Sequence, residues 1–359
     1  MNNRALSASC SPNIRVAVLG AGGLGRGMVA MLAQRSGLLC VALADTTGYC
    51  YQPLGLGPEA LAGVSQVDQL PEAVPSKQAI IALLQEHGQQ LDALFLAIPN
   101  LPVTLYAETM RQIAESTPFQ GVVVDALKRT QAVEHLLPLD GLYRSQRLLH
   151  ITGAGATPGF LTTVAAVAAQ SFVEVLSVDI HFGVGVANWE AYRATIREDF
   201  LHLEGFDAER VQAMTDAEIE SELNAREGLL HLTNMEHADD IILELAGVCP
   251  RDRVTVGGVV DTRHAKKPVS TTVTITGRTV SGAVGSHRFV VSDECTMVDN
   301  VCGPAVGFIC RAALLHQHGT YGLLNSAELM PRFKPKTMPY QASSLALPQA
   351  DEALLAAGV

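Results

Sequence analysis

Apolar residues fall along this chain in two textures. From Ile14 to about Thr152 they form short unbroken runs: "IRVAVL", "LLCVALAD", "LDALFLAIPN", "QGVVVDALK" and "RLLHITGAG". Between the runs lie "RGMVAMLAQRSG", a segment around 77–88 and "VTLYAETMRQIAES", which carry helical spacing. A strand that is apolar on both faces needs cover on both faces. Its alternation with helices therefore predicts a parallel sheet with helices on either side. The stretch 46–63, "TTGYCYQPLGLGPEALAG", is rich in Gly and Pro and is expected as a loop. After about residue 153 the texture changes. "LTTVAAVAAQSFVEVL" (161–176) is expected as a buried helix running into a strand, and "VEVLSVDIHFGVGV" as that strand. A charged helical block follows over about 189–246. "RVTVGGVVDT", "PVSTTVTITGRT" and "AVGSHRFVVSDE" are rich in Val and Thr and predict a mixed or antiparallel sheet. "GPAVGFICRAALLHQHG" (303–319) reads as a last helix before a polar tail.

The turn after the first run sharpens this picture. Gly20, Gly22 and Gly25 form G-x-G-x-x-G between a predicted strand and a predicted helix, and Asp45 ends the next strand. That setting is the one a dinucleotide fingerprint requires. Gly20 permits the tight turn, Gly22 leaves room for a pyrophosphate, and Gly25 lets helix and strand pack closely. The backbone through Gly23 and Leu24 places free N–H groups at a helix N-terminus, where an anion is favoured. Asp45 is expected at the adenosine ribose, which favours NAD. Thr46, Thr47 and Arg26 leave NADP as the alternative. The expected fold class is thus α/β, an N-terminal Rossmann doubly wound parallel sheet followed by a second α+β domain with a mixed or antiparallel sheet. The boundaries are a disordered lead-in over 1–13, a dinucleotide-binding domain over 14–152, a substrate domain over 153–302 and a tail over 331–359.

Composition narrows the function. The 359 residues suit two domains at about 100–200 residues each. Hydrophobic content of 48% supplies a core, and the formal net charge of −11 argues against nucleic acid as partner. The seven cysteines are odd in number and contain no C-x-x-C pair, which fits a reducing, cytoplasmic setting. The spacing of Cys295, Cys302 and Cys310 is wider than zinc ligand pairs usually are, so no metal is expected. The N-terminus lacks the apolar run of a secretory signal, and no membrane span is expected.

A ligand in such a fold lies across the carboxyl ends of the strands. This nominates Ala97, Pro99, Asn100 and Asp125 near the nicotinamide, and Lys128 as a group that binds a substrate carboxylate or donates a proton. Other proton carriers are sought among the second domain's histidines. His181 alternates with apolar neighbours, as a sheet-face histidine also would. His264 sits in the basic loop "VDTRHAKK", a candidate carboxylate clamp. His237, in "NMEHADD", lies beside Glu236, Asp239 and Asp240 on what reads as a solvated acidic face. Lys128, His181 and His264 form the candidate catalytic set. Trp189 and Arg193, in "NWEAYR", are candidates for lining a substrate pocket.

Three segments carry a resemblance to the saccharopine dehydrogenase-like oxidoreductases, and more loosely to homoserine and aspartate dehydrogenases. They are "VAVLGAGGLGRGMV", "GAGATPGF" (153–160), which is similar to that family's G-x-D-P-G turn, and "GPAVGFICRAALLHQHGTYGLLNSAELM" (303–330). The resemblance implies that 303–330 returns to the first domain and that the second domain forms a homodimer. It also implies oxidation of a C–N bond or reduction of an imine on an amino-acid or 2-oxo acid substrate. It places Thr157 and Pro158 near that substrate, with Thr157 standing where the family has Asp. A protein that keeps the nucleotide fold as a sensor or scaffold without turnover is the rival reading.

Overall fold

The computed structural model describes residues 13–292 and 295–335; the lead-in before Asn13 and the tail beyond Pro335 lie outside the described residues. Seven strands come first: β1 (Ile14–Leu19), β2 (Leu38–Ala44), β3 (Gly48–Tyr51), β4 (Val74–Pro75), β5 (Ala93–Leu96), β6 (Val122–Asp125) and β7 (Leu149–Thr152). Five follow: β8 (Glu174–Gly185), β9 (Leu229–Leu232), β10 (Val254–Asp261), β11 (Thr271–Arg278) and β12 (Val284–Val291). β13 (Gly322–Asn325) is last.

The first sheet has eight strands in the order β13-β7-β6-β5-β1-β2-β3-β4. From β13 to β2 every pairing is parallel. Successive residues of β1 serve opposite faces: Val16 and Val18 enter one apolar cluster, Ala17 and Leu19 the other. Both faces are buried, which is why the run has no polar alternation. The expected fold class is what the structure shows.

Two details differ from the sequence reading. Residues 48–51, expected as loop, form β3 and pair antiparallel with β2 and β4. The Asp45 carboxylate turns the chain there by accepting from the N–H groups of Thr47 and Gly48, a local closure that Asp provides well. The last long helix spans Met297–Gln317 and begins six residues before the expected start at Gly303. Thr296 and Asp299 form a reciprocal cap at its N-terminus. This helix is long and apolar enough to cross a membrane by length and composition, but its Cys302, Val306, Phe308 and Ile309 are buried in the first core. It packs tightly on the helix Gly23–Ala33, where a Cβ added at Gly27 would lie 2.5 Å from Val298. β13 then pairs with β7, so the chain closes on the first sheet.

The second sheet is mixed, in the order β12-β11-β8-β10-β9. Its β8–β10 pairing is parallel and its other pairings are antiparallel. A separate core, including Ile180, Phe182, Ile196, Phe200 and Ile275, lies against it.

Candidate active site

The glycine turn is built for close approach. Gly20 has φ +117°, and a Cβ there would lie 2.3 Å from the Ala97 carbonyl oxygen. A Cβ on Gly25 would lie 1.8 Å from the Gly20 oxygen, so only glycine lets this helix seat on its strand. A Cβ on Gly22 would meet nothing within 4 Å, so the space in front of it is open. The helix Gly23–Ala33 begins without a side-chain cap and without an acid in its first turn. Its free N–H groups and positive dipole end face that space.

These residues border a cleft of about 480 Å³ at the carboxyl ends of the first sheet. Gly20, Gly22, Gly23, Leu24, Asp45, Thr46, Ala97, Pro99 and Asn100 all line it. Tyr192 closes one side, with its ring so near the turn that a Cβ on Gly23 would lie 2.7 Å from it. Arg193 lines the cleft as well and pairs with Asp216 at 3.0 Å. An open glycine, an uncapped helix end and a cleft of this size fit a dinucleotide.

The structure places the remaining candidates unevenly. Asp45 is built into its turn. Its Oδ1 accepts from Thr47 N (2.7 Å), Thr47 Oγ1 (2.6 Å) and Gly48 N (3.2 Å), and its Oδ2 from Val67 N (2.9 Å). The carboxylate expected at the ribose thus also closes this turn, while Asp45 lines the cleft. Arg26 is likewise spent on the carbonyls of Ala21, Leu61 and Ser65. Asp125 is fully buried and bonds His150 Nε2 (2.7 Å), Thr152 Oγ1, Leu127 N and Gly153 N. It ties the ends of β6 and β7 together and does not face the cleft. Trp189 is buried and donates to Glu220 (2.6 Å). His181 is exposed on β8, and His264 is 75% exposed and bonded to its neighbour Asp261 (2.9 Å). Neither histidine lines the cleft or the cavity beside it.

That cavity is small, about 130 Å³, and shares Thr195 with the cleft. Its walls are mostly apolar, from Phe182, Val184, Val186, Ile196, Met235 and Val260. Its polar groups are Lys128, Thr157, Asp199, His237, Thr271 and Asn300. Lys128 Nζ lies 2.9 Å from Asp199 Oδ1 and 3.4 Å from Glu198 Oε2. Burial alone would lower the pKa of this amine; the two carboxylates outweigh burial and raise it above the ordinary lysine value. Asn100 joins the cleft to this network, donating to Glu198 (3.3 Å) and accepting from Lys128 N (3.4 Å). Arg129 backs it, 3.6 Å from Glu198 and 2.8 Å from Glu236.

The acidic run expected as a solvated face is buried in part and divided among partners. Glu236 takes Arg129, Asp240 accepts from Thr130 (2.8 Å), and Asp239 accepts from Thr157 (2.5 Å) and Thr162 (2.9 Å). The resemblance noted above puts Asp where this chain has Thr157; here Asp239 brings a carboxylate to the same place from another element.

Fold and cleft together define an α/β protein of the Rossmann architecture with a second, mixed sheet. C. glutamicum DAP dehydrogenase in complex with DAP superposes with a TM-score of 0.53 at 16% identity, covering 97% of this chain and 99% of that one. An engineered D-amino acid dehydrogenase bound to NADP+ gives 0.51 at 16% identity, covering 97% and 100%. At this identity both are likenesses of fold. No family model matches the chain. In sequence, the chain is 37% identical over 354 residues to (S)-8-amino-7-oxononanoate synthase BioU of Haloferax mediterranei, covering 89% of this chain and 99% of that protein. The chain belongs to the BioU family. The architecture implied by the saccharopine dehydrogenase-like resemblance is the one these neighbours share; the family itself is the one this relative defines.

Proposed function

We propose that this protein is an NADP(H)-dependent enzyme acting at a C–N bond of 8-amino-7-oxononanoate or a compound of that class. The observation that carries the reading is the mixed lining of the cavity, mostly apolar with Lys128, Asp199 and His237 among its polar groups. The compound in the relative's name has a ketone and a primary amine side by side at one end of a long methylene chain. Phe182, Val184, Val186, Ile196 and Met235 suit that chain, whereas a short amino acid charged at both ends would leave them bare. Lys128 is the cation among the polar groups, held by Asp199 and Glu198, and it donates to the oxo group.

Gly20–Leu24 and the helix behind them would hold the pyrophosphate, and Ala97, Pro99 and Asn100 would border the nicotinamide. The bound nicotinamide supplies hydride chemistry to a carbon in the cavity. The phosphate form of the cofactor is favoured by the far end of the cleft. Asp45 is taken up by its turn, so it presents less negative charge to a 2′-phosphate. Lys77 lines the cleft beside Thr46. The bond from Ser76 N to Thr47 O (3.0 Å) keeps Lys77 against that turn.

The test is a single-turnover experiment with enzyme, NADPH and 8-amino-7-oxononanoate in equal amounts, with ammonium supplied so that the oxo carbon can pass through C=N with loss of water before hydride reduces it. Substrate-dependent oxidation of NADPH, slowed at least 100-fold in Lys128→Met, supports the reading. NADPH that binds and stays reduced with this compound refutes it. An intact-mass measurement on the reacted protein separates two roles of the lysine. An unchanged mass fits a proton donor; an added mass on Lys128 would make it a nucleophile.

A further inference from the structure

We propose that His237, held by Asp239, is the proton-exchanging catalytic residue of the cavity; the inference rests on the function proposed above. His237 sits just before the helix Asp239–Leu245, and the bond from Ala238 N to Lys128 O (2.8 Å) pins its loop to the segment carrying the lysine. Both side chains line the same cavity. His237 Nδ1 lies 2.7 Å from Asp239 Oδ2.

The hydrogen-bond accounting fixes the tautomer. Asp239 is fully buried and receives Thr157 Oγ1 and Thr162 Oγ1. Thr162 Oγ1 also accepts from Gly159 N (2.6 Å), so its own proton goes to the carboxylate. With Asp239 as the acceptor at both oxygens, the ring nitrogen facing it carries hydrogen. The neutral imidazole therefore has Nδ1–H on Asp239 and its lone pair on Nε2. Among the described residues Nε2 has no protein partner, and it is not one of the buried, unsatisfied atoms. The ring itself lines the cavity. A base aimed at the substrate, an acid orienting it and two hydroxyls holding that acid form an arrangement that general acid–base catalysis uses repeatedly.

In the oxidative direction the substrate's C–H electron pair leaves as hydride for the oxidised nicotinamide, the N–H proton passes to Nε2, and C–N becomes C=N. In the reductive direction the imidazolium returns that proton to nitrogen. Lys128 directs its protons at Asp199 and Glu198, which leaves the imidazole as the acceptor of this proton.

His237→Gln and Asp239→Asn are compared with the wild-type full chain by NADPH fluorescence titration and single-turnover hydride transfer. His237→Gln should bind NADPH within about twofold of wild type while hydride transfer slows about 10²–10⁴-fold, the usual worth of a positioned acid or base. A rate within threefold of wild type overturns the inference. A readout free of turnover is long-range ¹⁵N NMR of histidine-labelled protein, with His237 assigned from the variant's missing signals. It should show Nδ1 protonated and Nε2 bare. In Asp239→Asn the two should exchange, because an amide can donate to Nδ1. Nε2–H in the wild type overturns the inference, whether or not 8-amino-7-oxononanoate proves to be the compound. Failure of the wild type to oxidise NADPH, with the tautomer as stated, counts against the proposed function alone.

Discussion

Replacing Lys128 by Met is the most informative structural perturbation. The substitution shortens the side chain by one atom and removes its charge. It leaves Asp199, which had the amine at 2.9 Å, and Glu198, which had it at 3.4 Å, buried without their nearest cation. Breaking a buried ion pair from one side costs about 3–5 kcal/mol. Arg129, 3.6 Å from Glu198, still serves one of the two acids, which puts the expected cost at the lower end, about 3 kcal/mol. For a chain of 359 residues that is roughly 4 °C in melting temperature, at about 1.3 °C per kcal/mol from about 2.1 cal/mol/K of unfolding entropy per residue. The pH dependence carries a sign. In the wild type the folded pKa of Lys128 is raised above the unfolded value. Its contribution is therefore fully present below the unfolded lysine pKa of about 10.4 and is lost only as pH rises through the folded pKa. Wild-type stability from this pair is flat between about pH 5 and pH 8. In Lys128→Met the unpaired acids would bind protons more readily folded than unfolded, so the variant should recover as pH falls. Melting curves of both proteins should differ by several degrees at about pH 8 and converge toward about pH 5. A variant as stable as wild type at the higher pH would refute the buried ion-pair account. A difference that grows on acidification would refute the electrostatic cause.

Other substitutions separate the parts of the site. Lys77→Ala should weaken NADPH about 10–100-fold, the worth of one charge-assisted hydrogen bond, and leave NADH unchanged; equal losses for both would remove Lys77 from the 2′-phosphate site. Asp45→Ala should lower the melting temperature and weaken NADH and NADPH alike, because it unties the β2–β3 turn; a loss confined to NADH would restore Asp45 to the ribose. Gly25→Ala should abolish nucleotide binding, since the added carbon would overlap the Gly20 carbonyl; ordinary NADPH titration in that variant would contradict the packing described.

The sequence made local chemistry legible and left assembled chemistry hidden. The glycine turn could be read because strand, turn and helix are contiguous, and each glycine has a separate reason to be there. The doubly buried strands announced the parallel sheet in the same way. β3 escaped notice because residues 48–51 lie in a Gly- and Pro-rich stretch and are held by a single aspartate's turn. Those bonds also give Asp45 a part in closing the turn, which no spacing rule could foresee. The cavity shows the limit most clearly. Lys128 meets Asp199 across 71 positions, and Thr157 meets Asp239 across 82. Asp239 and His237 looked like a solvated acidic patch because their buried partners are remote in sequence. His181 and His264 stood out for their neighbours, and the fold turns both away from the cavity.

The most direct test of the central claim is NADPH consumption on adding 8-amino-7-oxononanoate and ammonium to stoichiometric enzyme. The account predicts rapid, substrate-dependent loss of the reduced-nicotinamide signal, with little response to NADH at the same concentration. Tight NADPH binding with no oxidation in the presence of that compound would contradict it, and would favour a protein that keeps the nucleotide cleft for sensing.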